Sequence, residues 1–397
     1  MSAPQDDIKA LLTLRDSLNA SIDAFVGLTP EQKAQKPVVD KSRQQIWSTA
    51  QKIVGQTVNP PQRATQIAFT PWMNAVVRTA LELDLFNFLE DSTTAAQLAQ
   101  KTGAEETLIV RLMRVLTGYG IVAELGEHTY GRTPLSQALT VPALRDLNKH
   151  IFDSSWSCIG KLPAYLADIG YKNPEDPDNT LSHFATGTDY FGYIRQDPVR
   201  LVRFNSAMKG TGGLLASPIP KSLFESLGTD EKQVVMVDVG GGIGQVTEKT
   251  LEENAGLKGR FVVQDLGAIV EEAREKNPQF EVMEYDFFTP QPVKGANIYF
   301  MRRVLHDFPD SKCREILRNQ IHGMVKRQSK LLVCETVLPA TGCSEFESLA
   351  DISRATFSSM QRSEKHWRAL LTSVGLKVVK VWPPKAGPFP VIESELE

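Results

Sequence analysis

Six histidines occur in the chain, and one stands in a stretch whose residue types could move a proton. The segment "NIYFMRRVLHDFPDSKCREIL", Asn297 to Leu317, opens as an apolar strand and closes as an amphipathic helix. Between the two come a pair of arginines and then His306 beside Asp307. An imidazole titrates near ~6.5, so it can accept a proton near neutrality. A phenol titrates near ~10, and a positioned histidine acting as its base is typically worth ~10²–10⁴-fold. A carboxylate near the ring fixes its tautomer and stabilises the imidazolium that forms. Asp307 is adjacent in sequence. Glu335, closing the run "LLVCETVLP", is the stronger candidate, because an acid ending an apolar strand is costly without a partner. The bland alternative for His306 is a structural histidine capping the next helix. His150, in "LNKHIFDSSW", precedes an aromatic-rich stretch and reads as a pocket lining.

These groups must be held by the elements around them. From Glu231 onward, short β-branched runs alternate with helical ones: "QVVMVDVG", "RFVVQDL", "FEVMEYD", "NIYFMR", "KLLVCETVL", "LKVVKVW" and "FPVIES". Continuous apolar strands between helices imply a parallel sheet covered on both faces, an α/β fold of Rossmann-like type. The last two strands have no helix between them, which makes an antiparallel final strand the expectation. The first strand runs into Asp238-Val-Gly240-Gly241-Gly242-Ile-Gly244. A dinucleotide loop needs GxGxxG, but Gln245 stands at the sixth position; a phosphate loop needs GK[ST], which is absent. What remains is an acid followed by GxGxG, the loop that binds S-adenosylmethionine in methyltransferases. Asp265 closes the second strand, 25 residues after Gly240, where a carboxylate can accept both ribose hydroxyls. Asp286 and Phe287 close the third, at the place of an adenine amino group and ring face. The alternative for both acids is helix capping.

Ahead of the sheet, residues 1–58 read as a polar helical extension ended by "VNPPQ". Residues 59–220 form a second region and 221–397 the sheet domain. Within 59–220, "TTAAQLAQKTGAEETLIVRLMRVLTGYGIVAEL" reads as helix, glycine turn and helix, and "GEHTYGRTPLSQAL" as a hairpin, the outline of a winged helix. A recognition helix would be Glu105 to Leu116. Residues 61–140 hold six Arg or Lys against eight Asp or Glu, a net of −2 that neutralises phosphates poorly. The whole chain carries −3, with 42% apolar and 23% charged residues, giving no reason to expect nucleic acid or an anionic membrane as partner. Four cysteines without CxxC spacing suggest a reducing compartment. The amino-terminal segment resembles neither a signal peptide nor a membrane span, which leads to a cytoplasmic expectation. No metal-ligand spacing is present, so none is expected.

"VDVGGGIG", "QDL", "YDFF", "MRRVLHDFPD" and "CETVLP", in this order, resemble the plant and fungal caffeate-type O-methyltransferase family, over roughly residues 60 to 395. The resemblance implies a winged-helix dimerisation domain, an intertwined homodimer, S-adenosylmethionine as cofactor and S-adenosylhomocysteine as product. It makes His306 the base in a His-Asp pair with Asp307, flanked by Glu335. It gives Asp238, Gly240, Gly241, Gly242, Gly244, Asp265, Leu266, Asp286, Phe287 and Arg302 to the cofactor. Phe204, Asn205 and Met208, in "FNSAM", match the acceptor-pocket wall; Trp156, Phe357 and Met360 suggest its broad apolar remainder. Where the family has a second flanking acid, "QRSEKHW" places Gln361, with Glu364 a weaker substitute one helical turn on. The acceptor is then expected to be a phenolic or N-hydroxy group of an aromatic or alkaloid secondary metabolite. Fungal relatives also include pericyclases that keep the cofactor, with a histidine at the position of His150; those carry arginine or lysine in place of His306.

Overall fold

A computed structural model describes residues 4–33, 36–212, 216–225, 227, 230–276, 279–385 and 388–397. The chain opens with helices α1 (Pro4–Val26), α2 (Pro30–Lys33), α3 (Lys36–Thr57) and α4 (Pro60–Glu82). The break before α4 falls where the prolines place it. Asn59 caps the helix through the Gln62 N–H, and prolines fill the first turn, where a missing N–H loses no bond. Beyond α5 (Leu85–Phe88) and β1 (Thr93–Thr94), α6 (Ala95–Thr102) ends on left-handed Gly103 and leads into α7 (Glu106–Gly118). The hairpin of β2 (Ala123–Gly126) and β3 (Thr129–Gly131) completes the winged helix. It is shorter than the sequence suggested. Thr133 and Ser136 form a capping box, with Pro134 in the first turn, so "TPLSQAL" starts α8 (Pro134–Ala138). α7, at the position of a recognition helix, buries Ile109, Val110, Leu112, Met113 and Leu116 in the local core.

Four helices follow: α9 (Pro142–Asp168), α10 (Leu181–Thr186), α11 (Tyr190–Arg195) and α12 (Pro198–Gly212). On α9 one face buries His150, Ser154 and Cys158, spaced by four residues, and Tyr165 further on. Asp153 ties three helices together. It takes Arg78 of α4 in a two-pronged bond (2.8 and 3.0 Å) and Arg203 of α12 at 2.5 Å.

After α13 (Ser222–Glu225) comes the sheet: β4 (Val234–Val239), α14 (Gln245–Glu253), β5 (Arg260–Asp265), α15 (Gly267–Lys276), β6 (Glu281–Glu284), β7 (Ile298–Arg302), α16 (Asp310–Ile321) and β8 (Lys330–Cys334). A short parallel pair, β9 (Val337–Leu338) and β10 (Arg362–Ser363), flanks α17 (Glu345–Ser353); α18 (Glu364–Thr372), β11 (Leu376–Trp382) and β12 (Val391–Leu396) finish the chain. Seven strands run in the order β11-β12-β8-β7-β4-β5-β6. β12 is antiparallel to both its neighbours, and β4 to β8 are mutually parallel. Every residue of β4 is buried, because alternate side chains enter cores on opposite faces: Val237 and Val239 on one, Met236 on the other. Chain connections diverge on either side of β4 and β7, so their carboxyl ends open the crevice where such sheets bind ligands. Among the described residues, no helix is long and apolar enough to cross a membrane.

Replacing Asp153 with alanine takes the carboxylate from Arg203 and leaves Arg78 with Glu82 alone, loosening the tie between α4, α9 and α12. We expect a loss of about 1.5–3 kcal/mol in chemical denaturation. A loss within about 0.5 kcal/mol, the scatter of inert surface changes, would show that the triad does not tie the helices.

Candidate active site

At the end of β4 the glycine turn folds back on the next strand. Gly240 and Gly241 donate their N–H groups to the Gln264 carbonyl (2.8 and 3.1 Å), and Gly242 donates to Asp265 Oδ2 at 2.8 Å. Gly240 and Gly244 take φ of 68° and 84°; a Cβ would lie 2.9 Å from Val304 Cγ2 at the first and 2.3 Å from the Phe280 ring at the second. A Cβ on Gly242 would meet nothing within 4 Å, so the turn is packed behind and open in front. Asp238 is buried behind it, accepting the Thr247 hydroxyl at 2.9 Å. Burial pushes its carboxyl up to about 7, against the opposing pull of Thr247 and Arg302.

Asp265 accepts N–H groups on both oxygens, from Gly242 and from Leu266 (2.8 Å each), and burial raises its pKa. Neither bond caps α15, which starts at Gly267, and each oxygen keeps a second lone pair. Asp286 lies two residues past β6, exposed, accepting the Phe288 N–H at 2.9 Å. Phe287 meets Phe308 edge-on at 5.7 Å, and Leu266 is exposed beside Asp265. A cradle with an open glycine face, two carboxylates and apolar side chains fits a nucleoside without a pyrophosphate.

One strand over, β7 ends at Arg302. Arg303 follows at φ 56°, then a 3₁₀ turn, Leu305–Asp307, carries His306. His306 is buried, and Glu335, just past β8, has no exposed surface. Glu335 Oε1 accepts the His306 backbone N–H at 3.3 Å, and Oε2 lies 3.0 Å from ring Nδ1. That second pair is close but off the line of a well-formed hydrogen bond, so the contact is chiefly electrostatic. Burial alone would raise the Glu335 pKa; the His306 ring and N–H, with Arg303, outweigh it and hold the pKa below the usual range. Asp307 Oδ1 lies 3.5 Å from Nε2, too far for a hydrogen bond, and pairs with Arg354 at 2.7 Å. Gln361 is buried nearby in sequence to Ser359, whose hydroxyl donates to the His306 carbonyl. Among the described residues the Gln361 amide oxygen has no hydrogen-bond partner, so the residue at the place of the family's second flanking acid does not bond the imidazole. Glu364 opens α18 and pairs with Arg368 instead.

A group of aromatic rings stands beside this centre. Phe357, from the 3₁₀ turn Arg354–Phe357, meets Tyr190 (4.8 Å) and Phe191 (5.8 Å); Phe204 meets Phe191 (6.1 Å) and His150 (5.2 Å). His150 bonds Tyr190 Oη through Nε2 (2.9 Å) and Ser154 Oγ through Nδ1 (3.2 Å), and burial pushes its imidazole down to about 4. Met208 and Met360 are half-buried. Two expected wall residues stand apart. Trp156 stacks on Phe152 at 4.8 Å on the exposed side of α9, because two residues past Ser154 a helix side chain points nearly opposite. Asn205 lies on the exposed side of α12. Tyr190 and Phe191 escaped the sequence reading, although "DYFGYIR" announces an aromatic run.

Residues 166–377 match the O-methyltransferase domain model, and residues 65–142 match the O-methyltransferase dimerisation domain. The chain belongs to the S-adenosylmethionine-dependent O-methyltransferase family. The O-methyltransferase mfmE of Annulohypoxylon moriforme is 33% identical over 340 residues, covering 82% of this methyltransferase and 84% of the relative. The O-methyltransferase penC of Penicillium thymicola is 30% identical over 355 residues (86% and 88%). Among solved structures, LepI in complex with SAM is 25% identical with a TM-score of 0.80, covering 90% of this chain and 94% of that one. OxaC in complex with sinefungin and meleagrin is 25% identical with a TM-score of 0.82 (98% and 99%).

The buried acid beneath the methyltransferase's glycine turn gives a pH test. Its folded pKa is raised from 3.8 to about 7, so between those values the folded state holds a proton that the unfolded chain has lost. Its contribution therefore favours folding at the acid end and declines as the pH rises to about 7. Asp238→Asn removes the decline, so the melting temperature of the variant, relative to wild type, should climb between about pH 5 and about pH 7 in the cofactor-free protein. A flat difference would show Asp238 to be ionised throughout.

Proposed function

We propose that this methyltransferase moves a methyl group to a phenolic or N-hydroxy oxygen of an aromatic or alkaloid secondary metabolite, with His306 as general base. The observation that carries the reading is the placement of Glu335 against ring Nδ1, which leaves Nε2 as the nitrogen that can receive a proton. Asp307 stands beyond hydrogen-bond range of Nε2 because Arg354 holds it, so the nitrogen is not already occupied. Once protonated, the ring would lie between two carboxylates.

Bound S-adenosylmethionine supplies an electrophilic methyl on a sulfonium. Asp238 and Gly240 to Gly244 would line its amino-acid end, Asp265 its ribose hydroxyls, Asp286, Phe287 and Leu266 its adenine, and Arg302 the space beside Asp238. Phe204, Phe357, Tyr190 and Phe191 would hold a flat acceptor, with Met208 and Met360 at its margin. His150, kept neutral by burial and bonded at both nitrogens, serves as wall rather than base.

His306→Ala should lower turnover by ~10²–10⁴-fold while S-adenosylhomocysteine binds as before, read by single-turnover mass analysis and calorimetry. Unchanged turnover removes His306 from the chemistry. An acceptor consumed without S-adenosylhomocysteine release would favour the cofactor-retaining cyclase reading.

The protein is a homodimer in this reading. Its dimerisation region and the helices before it leave Trp47, Ile67, Phe69 and Trp72 exposed in one chain, an apolar burden unusual for a monomer. Light scattering should give a mass of about two chains; one chain at micromolar concentration would contradict it.

A further inference from the structure

Seven buried side-chain polar atoms lack a hydrogen-bond partner among the described residues, and six of them belong to the centre around His306. They are the Nε atoms of Arg302, Arg303 and Arg354, His306 Nδ1, Glu335 Oε2 and Gln361 Oε1. Buried polar groups are otherwise satisfied almost everywhere in folded proteins, so the arginine and glutamine atoms among these mark groups open to something that binds. The His306 and Glu335 atoms face each other. The guanidiniums divide between two sides. Arg302 acts on Asp238 and Cys334, behind the glycine turn. Arg354 pairs with Asp307 and lies 5.4 Å over the Phe357 ring, on the acceptor side.

Arg303 is the cation with no carboxylate bound to it: its guanidinium lies 5.7 Å over the Phe389 ring and acts on Glu335 only through its charge. The Asp307–Arg354 pair neutralises itself, and Glu335 is committed to His306. The Arg303 guanidinium feels Arg302, Asp307, Glu335 and Arg354, yet makes no hydrogen bond or ion pair with any described residue. Its backbone takes φ 56°, a left-handed conformation that a long side chain rarely adopts and that clusters at functional sites. An arginine stays protonated in such a place, and its planar fork matches a carboxylate or enolate oxygen. A bound sulfonium would add positive charge, and Gln361 offers no negative charge to offset it.

We infer that the acceptor is an acidic hydroxyl, one conjugated to a carbonyl, held as its oxygen anion by Arg303. This rests on the methyltransferase reading above and names its substrate class. The anion's charge is shared between two oxygens. One meets the guanidinium, and the other supplies the lone pair that forms the O–CH₃ bond as the S–CH₃ bond breaks and its electrons return to sulfur. The hydroxyl proton goes to His306 Nε2, or to water when the acceptor is already ionised in solution.

The test uses full-length protein saturated with S-adenosylhomocysteine, titrated calorimetrically with two probes of similar size: lawsone, an acidic hydroxynaphthoquinone, and the neutral phenol naphthol. Wild type should bind lawsone at least about tenfold more tightly than naphthol. Arg303→Gln should bring the two within about twofold, chiefly by weakening lawsone, while Arg303→Lys keeps part of the preference. S-adenosylhomocysteine affinity, measured on each variant, reports that the fold is intact; should Arg303→Gln lose it, the lysine variant and the wild-type preference decide. Equal affinity in wild type, a preference surviving in Arg303→Gln, or binding of neither probe overturns the inference. Each of these leaves the methyltransferase reading standing as long as S-adenosylhomocysteine binds; failure of wild type to bind it would sink that reading instead.

Discussion

A carboxylate with no exposed surface sits at the end of a central strand, and the arrangement around it follows from the need to keep it charged. Desolvating an ion costs several kcal/mol even after a protein relaxes around it. Glu335 meets that cost with the His306 backbone N–H, the imidazole and the charge of Arg303. For these to reach it, the chain must turn at once on leaving β7. It does so through left-handed Arg303 and the 3₁₀ turn. The turn's carbonyls are then answered from a later segment. The Ser359 hydroxyl donates to His306 and Phe308 (2.8 Å each), and the fully buried Arg362 donates to Leu305 and Phe308 (3.1 and 2.9 Å) while bonding Asp310. The segment from Ser359 to Arg362 therefore belongs to the site as much as the histidine does.

The sheet determines where this can happen. The glycine turn ends β4 and the histidine turn follows β7, neighbours in parallel register, so Asp238 stands opposite Phe300 and Val239 opposite Met301. On the proposed reading, two groups that face one reacting atom are delivered by adjacent strands at the crevice. The helices before the sheet add the third side. α9, α11 and α12 bring His150, Tyr190, Phe191 and Phe204 to Phe357, with Asp153 binding α9 to α12 and α4. On that reading a donor side built on strands faces an acceptor side built on helices, whose side chains can differ without disturbing the sheet.

Much of this was legible in the residues. Strands buried on both faces must be apolar throughout, and β4, β7 and β8 stand where their runs placed them. Glycines with positive φ cannot be replaced by other residues without strain, which is why the turn after β4 could be read before any coordinates. Glu335 was legible because an acid in such a place has to be explained. Other features depend on contacts that sequence does not encode locally. Arg354 reaches Asp307 across 47 residues, and nothing in "DISRATF" hints at it. Composition alone does not place Trp156: six residues beyond His150 the helix has turned by about 240°, away from the buried face. The hairpin ends sooner than its composition suggests because Thr133-Pro134 starts a helix.

The central claim is that Glu335 fixes His306 as the Nδ1–H tautomer and leaves Nε2 to take the acceptor's proton. Nitrogen NMR of the imidazole measures this directly, in protein saturated with S-adenosylhomocysteine and at a pH above the ordinary imidazole range. The account predicts a protonated Nδ1 and an unprotonated Nε2 for His306, with the preference weakened in Glu335→Gln. A proton found on Nε2, directed at Asp307, would contradict it.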